Sequence, residues 1–444
     1  MPTAYTILFL LLILVAAATW IIPAGSYDYV DGVPVAGTYH TVEQNPQGVG
    51  DVLKAAFSGF YDAVDVCIFI LMVGGFLGVV MKTGAVDAGV GNVIRLLGGR
   101  EKWLIPILML LFGLGGTTYG MWEETMAFYP LLIPVFLAAG YDAVVGISVI
   151  LLGAGAGVIA STVNPFATGI AAGFAGVSLG EGIVLRLLEW VAFEAAAIWF
   201  VMAYAAKVKK NPSKSVVGVG AGKIQVSMDQ QVPFTAKRKV IMALFTLTFL
   251  IMVYAVVPFD EMGLSLPALG WWFPELSALF LVAGVVIGLI DRMSEEELVE
   301  TYVAGCADLL GVAFIIGISR GITVLMNDGA ITDTVLHWGE QALSGAGAIS
   351  FTLLVFALYL PLTILIPSSS GLATLSIPIV APLGKFAGVG GDLVVTAFQS
   401  ASGLVNIITP TAAVVMGALA LGHVPYDRWV KYVWKLILWF LLLA

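Results

Sequence analysis

Apolar runs long enough to cross a membrane constrain this chain more than any other feature of its sequence. A helix needs about 17 to 25 apolar residues to span the hydrocarbon core of a bilayer. Runs that meet or approach this length occupy residues 3–23, 60–82, 143–177, 183–206, 240–257, 276–290, 306–326, 393–421 and 428–443. Because 60% of the 444 residues are hydrophobic and only 11% are charged, a soluble globule would lack the polar surface to cover itself. The sequence predicts an all-α integral membrane protein whose first run is a transmembrane helix and not a cleaved signal peptide.

The sparse polar residues exclude several classes of function. The net charge is −9 and no basic patch with interleaved aromatic residues could bind a phosphate backbone, so nucleic acid is excluded as a partner. The two cysteines, Cys67 and Cys306, form no CxxC pair, and the three histidines form no metal pair. No GxSxG or HExxH motif is present. We therefore expect no enzyme and no cofactor, apart from Na⁺ or H⁺ as a coupling ion.

Two further apolar stretches, 103–139 and 351–387, are each too long for one helix. Gly, Thr, Ser, Pro or carboxylates interrupt them in the middle. Such interruptions are typical of re-entrant hairpins, whose broken backbone is buried in protein or lines a wet cavity. Each hairpin precedes an apolar run that is broken at a proline: 143–177 at Pro165 and 393–421 at Pro410.

Lysine and arginine predict how the chain is oriented in the membrane. The segment 206–239 is the most basic of the chain, so it is predicted to be cytoplasmic, and its Ser, Gly and Gln content predicts loose order. Arg95 and Arg100 are expected on the same side. The acidic stretch 26–51 and the pair Asp260 and Glu261 are then outside. The N-terminus is predicted inside and the C-terminus outside.

The sequence also contains an internal repeat. "VVMKTGAVD" resembles "VLMNDGAITD", with Gly84 matching Gly329 at a shift of 329 − 84 = 245. "STVNPFATG" and "NIITPTAAV" match at the same shift, and "FYPLLIP" and "LSIPIVAP" match at 248. Five crossings separate each element from its counterpart, so the second copy is predicted to lie upside down relative to the first. We expect residues 60–187 to superpose on 306–428 only after a rotation of about 180° around an axis in the membrane plane.

This repeat divides the chain into two inverted-topology units. The first is predicted to cover 1–206, with scaffold helices, the hairpin 103–139 and the broken helix 143–177. A cytoplasmic linker and a connecting helix at 240–257 fill 207–275. The second unit is predicted to cover 276–444, with the hairpin 351–387 and the broken helix 393–421.

An inverted pair of hairpins and broken helices brings half-helix ends to one site at the membrane midplane. Half-helix N-termini favour an anionic group, and exposed carbonyls at half-helix C-termini can hold Na⁺. The alternative is that small polar residues there only bond packed helices together. The predicted substrate-binding residues are Thr117, Thr118, Glu123, Glu124, Asn164, Ser368, Ser369, Ser370 and Thr409. The predicted coupling-ion residues are Ser161, Asn164, Asn406, Thr411 and Glu194.

Glu123 and Glu124 interrupt the first hairpin with two adjacent carboxylates. Burying either charge unpaired would cost several kcal/mol, so we expect them to face a cation: an ammonium or guanidinium group, Na⁺ or a proton. Adjacent helical side chains diverge by about 100°, which predicts that only one points into the site. The alternative is that they are helix-terminal acids. Glu194 could relay protons or pair with a base, and Arg320 is expected to snorkel to the outer surface.

Several blocks of the sequence resemble a known family. These blocks are "PTAYTILFLLLILVAAATWIIPAGSY", "GMWEETMAFYPLLIPVFLAAGYD", "SSSGLATLSIPIVAPLG" and "ITPTAAVVMGAL". They resemble the C4-dicarboxylate anaerobic carrier-like family, in particular its YfcC-like branch, within the ion transporter superfamily. The resemblance covers essentially the whole chain.

The resemblance implies a secondary transporter in the cytoplasmic membrane of a prokaryote. It implies a scaffold that forms a homodimer and a transport domain, made of the hairpins and broken helices, that slides across the bilayer like an elevator. Members of the family are regarded as dicarboxylate carriers or as arginine and ornithine exchangers. The two carboxylates favour basic amino acids, with an ion-coupled C4-dicarboxylate carrier as the alternative. Related sodium symporters carry Ser-Asn-Thr at their hairpin tips, whereas these tips read "TTYGMWEET" and "IPSSSG".

Overall fold

The computed structural model describes residues 4–31, 33–86, 88, 89, 100–178, 180–218, 233–256 and 266–444. Arg95, Asp260 and Glu261, used above to predict orientation, lie outside the described residues, as does 219–232 of the basic segment. The described chain is helical apart from four two-residue strands, β1 (Gly25–Ser26), β2 (Tyr29–Val30), β3 (Val33–Pro34) and β4 (His40–Thr41).

The helices follow the apolar runs of the sequence. They are α1 (Ala4–Ala18), α2 (Val49–Asp62), α3 (Val64–Lys82), α4 (Leu104–Tyr119), α5 (Tyr129–Ala138), α6 (Ala143–Ile159), α7 (Ile170–Ala175), α8 (Ile183–Lys210), α9 (Ala236–Val256), α10 (Phe273–Asp291), α11 (Glu295–Asp328), α12 (Thr332–Leu343), α13 (Ala348–Leu365), α14 (Ser369–Phe386), α15 (Gly391–Asn406), α16 (Ala413–Leu421) and α17 (Tyr426–Leu443). Within the described part, α3, α10, α11 and α13 are long and apolar enough to cross a membrane. The prediction of an all-α integral membrane protein is confirmed.

One bundle is built on the long helix α11. The pair α2 and α3, separated only at Ala63, packs along α11, while α1 packs on α11 and α10 packs on α3. Backbone meets backbone at this seam, because a Cβ added at Gly74 would strike the carbonyl oxygen of Gly305 and one added at Gly59 would strike that of Gly317. Glycines therefore fix the close approach of these helices.

The other helices form two hairpins and two interrupted helices. In the first hairpin a 3₁₀ helix, Glu123–Phe128, joins α4 to α5, and residues 160–169 separate α6 from α7. The second hairpin joins α13 to α14, and residues 407–412 separate α15 from α16. The first hairpin packs on α6 and α16, and the second packs on α15 and α7, so each hairpin contacts both interrupted helices.

The order of elements repeats along the chain. Counterparts begin at similar offsets: α4 and α13 at 348 − 104 = 244, α6 and α15 at 391 − 143 = 248, and α8 and α17 at 426 − 183 = 243. These offsets agree with the shift found in the sequence. The inverted relation between the two copies stays a prediction.

A segment between α1 and α2 forms an outer strap that the sequence analysis did not foresee. The strap (residues 19–47) pairs β1 with β4 and β2 with β3. At its base the backbone N–H of Gln47 donates to Thr19 Oγ1 at 2.8 Å. At its tip Tyr27 donates to Glu340 Oε2 at 2.8 Å and Tyr29 donates to Asp333 Oδ1 at 2.7 Å, both on α12. Burial and the hydrogen bond to Glu340 raise the pKa of Tyr27, so the phenol remains a donor.

Part of the basic segment is more ordered than its composition predicts. Ser215 donates to Asp142 Oδ2 at 2.7 Å, and the backbone N–H of Val216 donates to the hydroxyl of Tyr204 at 3.1 Å. Asp142 also caps α6, accepting from the N–H of Val145. The expectation of loose order does not hold for residues 211–218, because these long-range hydrogen bonds attach them to the bundle.

Candidate functional site

The tip of the first hairpin is joined to the break in α6. Thr117 donates to the carbonyl oxygen of Ala160 at 2.7 Å, and the backbone N–H of Thr162 donates to the carbonyl oxygen of Thr117 at 2.8 Å. Gly120 ends α4 in the left-handed region, with φ of 78°, and a Cβ there would strike the side chain of Asn164. Only glycine suits this turn. The structure thus brings together Thr117 and Asn164, while the neighbouring Thr118 donates back to Leu114 of its own helix.

Glu123 and Glu124 have different surroundings. Glu124 is buried and accepts from the backbone N–H of Trp122 at 3.1 Å, which is the helix-terminal role. Glu123 is half-buried, and the charge of Arg320 acts on it. Glu124 therefore has the helix-terminal role, and Glu123 lies within electrostatic range of Arg320, whose ion pair is with Asp62.

Arg320 pairs with a carboxylate at the end of α2. It lies eight residues before the end of α11 at Asp328, and its Nε is 3.8 Å from Asp62 Oδ2 at the end of α2. The guanidinium is 26% exposed and the Asp62 carboxylate 53% exposed, and the expected snorkelling stays a prediction. Sequence reasoning missed Asp62, which is separated from Arg320 by 258 residues (320 − 62 = 258).

The residue before Arg320 ties α11 to the break between α15 and α16. Ser319 donates to the carbonyl oxygen of Thr411. Within that break the hydroxyls of Thr409 and Thr411 are hydrogen-bonded to each other at 2.8 Å. Arg320, the first-hairpin tip and the second break therefore lie around one region.

The ends of α6 and α15 cross at the two breaks. Gln399 donates to the carbonyl oxygen of Val158 at 2.7 Å, and Ser400 donates to that of Ile159 at 3.3 Å. A Cβ at Gly403 would strike the backbone of Ile159. These carbonyl oxygens were expected to be exposed for Na⁺, but here each already accepts a side-chain hydrogen bond.

Several side-chain oxygens at this crossing, unlike the carbonyl oxygens, have no hydrogen-bond partner among the described residues. Gln399, Ser402 and Asn406 lie three and four residues apart, so they follow one face of α15. Among the described residues, four buried oxygens near the crossing have no hydrogen-bond partner: Ser161 Oγ, Gln399 Oε1, Ser402 Oγ and Asn406 Oδ1. Buried polar groups are normally paired, so this cluster of neutral acceptors suits a small cation.

The tip of the second hairpin makes local contacts. Ser368 caps α14 by accepting from the backbone N–H of Gly371 at 3.3 Å, and its hydroxyl lies 3.4 Å from that of Ser370. Ser368, Ser369 and Ser370 are half-buried. Within the described chain, the hydrogen bonds of the Ser368 and Ser370 hydroxyls stay inside this tip and do not reach Glu123 or Arg320.

A cavity of about 920 Å³ separates the α3 and α11 pair from α5 and α16. Its walls are mostly apolar, with Asp308, His423 and the phenols of Tyr5 and Tyr426 as the ionisable groups among its lining. The predicted site residues do not line it. The cavity offers few groups that could bind a charged solute, whereas the breaks carry hydroxyl and amide groups.

The whole chain matches one known protein family. Residues 1–444 match a family described as C4-dicarboxylate anaerobic carrier. The chain belongs to this carrier family. The resemblance drawn from the sequence blocks is confirmed, and the chain is a carrier and not an enzyme.

Relatives and solved structures extend the comparison. This carrier is 35% identical to an uncharacterized protein of Haemophilus influenzae, over 98% of this chain and 94% of that one. It is 31% identical to YfcC of Escherichia coli, which is named as a proposed basic amino acid antiporter, over 97% of this chain and 92% of YfcC. Solved structures similar to this carrier include the YdaH transporter of Alcanivorax borkumensis, with 15% identity, a TM-score of 0.44 and coverage of 100% and 98%. Another is MtrF of Neisseria gonorrhoeae, with 18% identity, a TM-score of 0.43 and coverage of 100% of this chain and 94% of that one.

Proposed function

We propose that this carrier is a secondary active transporter of small amino acids, with basic amino acids such as arginine and ornithine as its first substrates. The observation that carries the proposal is the opposition of Glu123 and Arg320 beside the two breaks. An amino acid presents a cation and a carboxylate together, and an acid facing a base offers a partner for each. The name of YfcC supports the same substrate class.

Each part of the site has a role in this proposal. Glu123 receives the ammonium or guanidinium group, and Arg320 receives the carboxylate as a bidentate partner. The serine tip of the second hairpin approaches the substrate as the hairpin closes, with its helix N-terminus toward the carboxylate. The remaining proposed substrate contacts are Thr117, Thr118, Glu124, Asn164 and Thr409.

Coupling is proposed to involve Na⁺ or H⁺ or an exchanged amino acid. The unpartnered oxygens of Ser161 and Asn406 support a cation position between the crossing helices. Asn164 and Thr411 flank it, and Glu194 is the proposed proton-carrying member of the set. The carrier then works as an antiporter or an ion-coupled symporter.

The transport movement is proposed to be of the elevator type. The repeated order of elements and the packing of each hairpin on both interrupted helices support two inverted copies that move as one unit. The glycine seam of α3 and α11 supports a rigid scaffold, which is proposed to form the homodimer. The protein is proposed to lie in the cytoplasmic membrane of a prokaryote with its N-terminus inside.

A second candidate is an ion-coupled C4-dicarboxylate carrier. The family description and the positive charge of Arg320 favour it. In that case Glu123 would repel the substrate and would serve the coupling ion instead.

The decisive experiment is uptake by purified protein in liposomes that contain unlabelled solute. Labelled arginine, ornithine and succinate are each offered, with and without a Na⁺ or pH gradient. We expect exchange of arginine and ornithine and none of succinate. Uptake of succinate alone would overturn the amino acid proposal in favour of the second candidate.

A further inference from the structure

Glu194 is buried against the first arm of the first hairpin. The residue is in the middle of α8, which packs on α4, α6 and α17. Its side chain is 2% exposed, and neither carboxylate oxygen has a hydrogen-bond partner among the described residues. Trp190, one turn earlier on α8, has an indole N–H that also lacks a partner. A donor and two acceptors thus stand one helical turn apart, all unsatisfied.

The wall opposite Glu194 is the backbone of the first hairpin. A Cβ added at Gly113 of α4 would meet the Glu194 carboxylate, so the carboxylate lies directly against the backbone of α4. On the other side of α4, a Cβ added at Gly157 of α6 would strike the carbonyl oxygen of Gly113. The carboxylate therefore lies next to the hairpin arm, one turn before Thr117, which holds the tip to the α6 break.

No charge is positioned to balance Glu194. Between their ends, α4 and α6 carry no Asp, Glu, Lys, Arg or His. On α17 the side chain of Lys435 is exposed and the hydroxyl of Tyr432 is 3.3 Å from Ser148 Oγ. On α8 itself, Glu189 lies 3.5 Å from Ser400 Oγ, and the charge of Arg186 acts on Glu189. The described residues give Glu194 no ion pair.

Two physical facts then select the ligand. An uncompensated buried charge costs several kcal/mol, whereas a neutral carboxylic acid does not carry that cost. A metal cation would need several oxygen ligands, and an indole N–H beside a single carboxylate repels a cation. A proton is the one cation that a lone carboxylate can bind by itself.

We propose that Glu194 is the proton-binding site through which this carrier couples transport to a proton gradient. This rests on the proposed function as an ion-coupled transporter, and it places the proton apart from the substrate position at Glu123. The Glu194 carboxylate takes one proton from water to become the carboxylic acid, and it returns that proton on the other side. In the charged form the carboxylate accepts the Trp190 N–H and pushes against Gly113, so the protonation state is linked to the position of the first hairpin.

The first arm of the test needs no substrate. Infrared difference spectra of the purified full chain, between acidic and alkaline buffer, report the carbonyl-stretch band of a carboxylic acid that loses its proton. We expect this band to disappear in Glu194→Gln and to persist in Glu189→Gln, the matched control on the same helix. Where the Gln variant does not fold, Glu194→Asp keeps the acid and should shift the band. A band that neither change affects would overturn the proposal.

The second arm measures coupling. Labelled arginine uptake into liposomes is compared with and without a proton gradient, and the ratio of the two rates is taken for each variant. We expect the ratio to fall to one in Glu194→Gln and to match the wild type in Glu189→Gln. An unchanged ratio in Glu194→Gln would overturn the coupling role. Absence of arginine uptake by the wild type would instead contradict the proposed substrate and leave the infrared result to decide the proton site.

Discussion

At the scale of single residues, the adjacent carboxylates of Glu123 and Glu124 have different surroundings because the backbone before them is irregular. Glu124 turns back to the N–H of Trp122 and ends the approach to the 3₁₀ helix. Glu123 lies within electrostatic range of Arg320. The sequence predicted that only one of the pair would face the site, but it could not identify which one. That choice depends on the irregular backbone at Trp122, which no periodicity specifies.

Replacing each glutamate by glutamine tests whether Glu123 and Glu124 have different roles. We expect Glu123→Gln to weaken arginine binding by about 2 to 5 kcal/mol, the range for removing one partner of a buried charge pair. Glu124→Gln keeps an oxygen that can accept from Trp122, so its effect on binding should be roughly 1 kcal/mol. Equilibrium binding of labelled arginine to purified protein measures both. Equal losses in the two variants would contradict the division of roles.

At the scale of elements, the first hairpin is stable because its tip is hydrogen-bonded to another helix. Thr117 and Thr162 exchange hydrogen bonds across a gap of 45 residues, while the hydroxyl of Thr118 bonds only within α4. The same residue type at neighbouring positions therefore offers a matched comparison.

We expect Thr117→Val to destabilise the protein by about 1 to 3 kcal/mol, because it leaves buried partners at Ala160 and Thr162 without the hydroxyl. Thr118→Val removes a hydroxyl that is half-buried and bonded to its own helix, so its effect should be within about 0.5 kcal/mol. Thermal unfolding of the two variants in the same detergent measures the difference. Equal melting temperatures would show that the tip contact adds no stability.

The elements also show how far sequence reasoning reaches. Long apolar runs predicted the bundle because length and hydropathy alone specify a membrane helix. They did not predict α2 and α12, whose mixed polar and apolar patterns fall below the composition of a span. Pairs such as Asp62 with Arg320 and Glu194 with Gly113 were also missed, since distant residues meet only through tertiary packing.

At the scale of the whole molecule, the charge distribution predicts that the end of α8 and the strap lie on opposite sides of the membrane. Lys207, Lys209, Lys210 and Lys214 gather at the end of α8, whereas the strap carries Asp28 and Glu43. Basic residues near helix ends are retained in the cytoplasm, which predicts the strap outside.

Cysteine labelling tests this orientation. Cys67 and Cys306 are first replaced by alanine, and a single cysteine is then placed at Ser213 or at Ala36, both exposed. An impermeant maleimide added to intact cells should label Ala36→Cys and leave Ser213→Cys unlabelled until the cells are opened. Labelling of Ser213→Cys from outside would reverse the orientation.

The length of α11 has a consequence for the lipid around the protein. Its 34 residues extend about 51 Å at about 1.5 Å per residue, whereas the hydrocarbon core is about 30 Å thick. The helix begins with Glu295, Glu296 and Glu297, and Asp308 follows almost four turns later. Because these carboxylates avoid hydrocarbon, the first part of α11 lies among headgroups and water or along the cavity that Asp308 lines. The part of α11 after Asp308 (328 − 308 = 20 residues) then extends about 30 Å and matches the hydrocarbon core, so a thinner or thicker host membrane acts directly on the helix that carries Arg320.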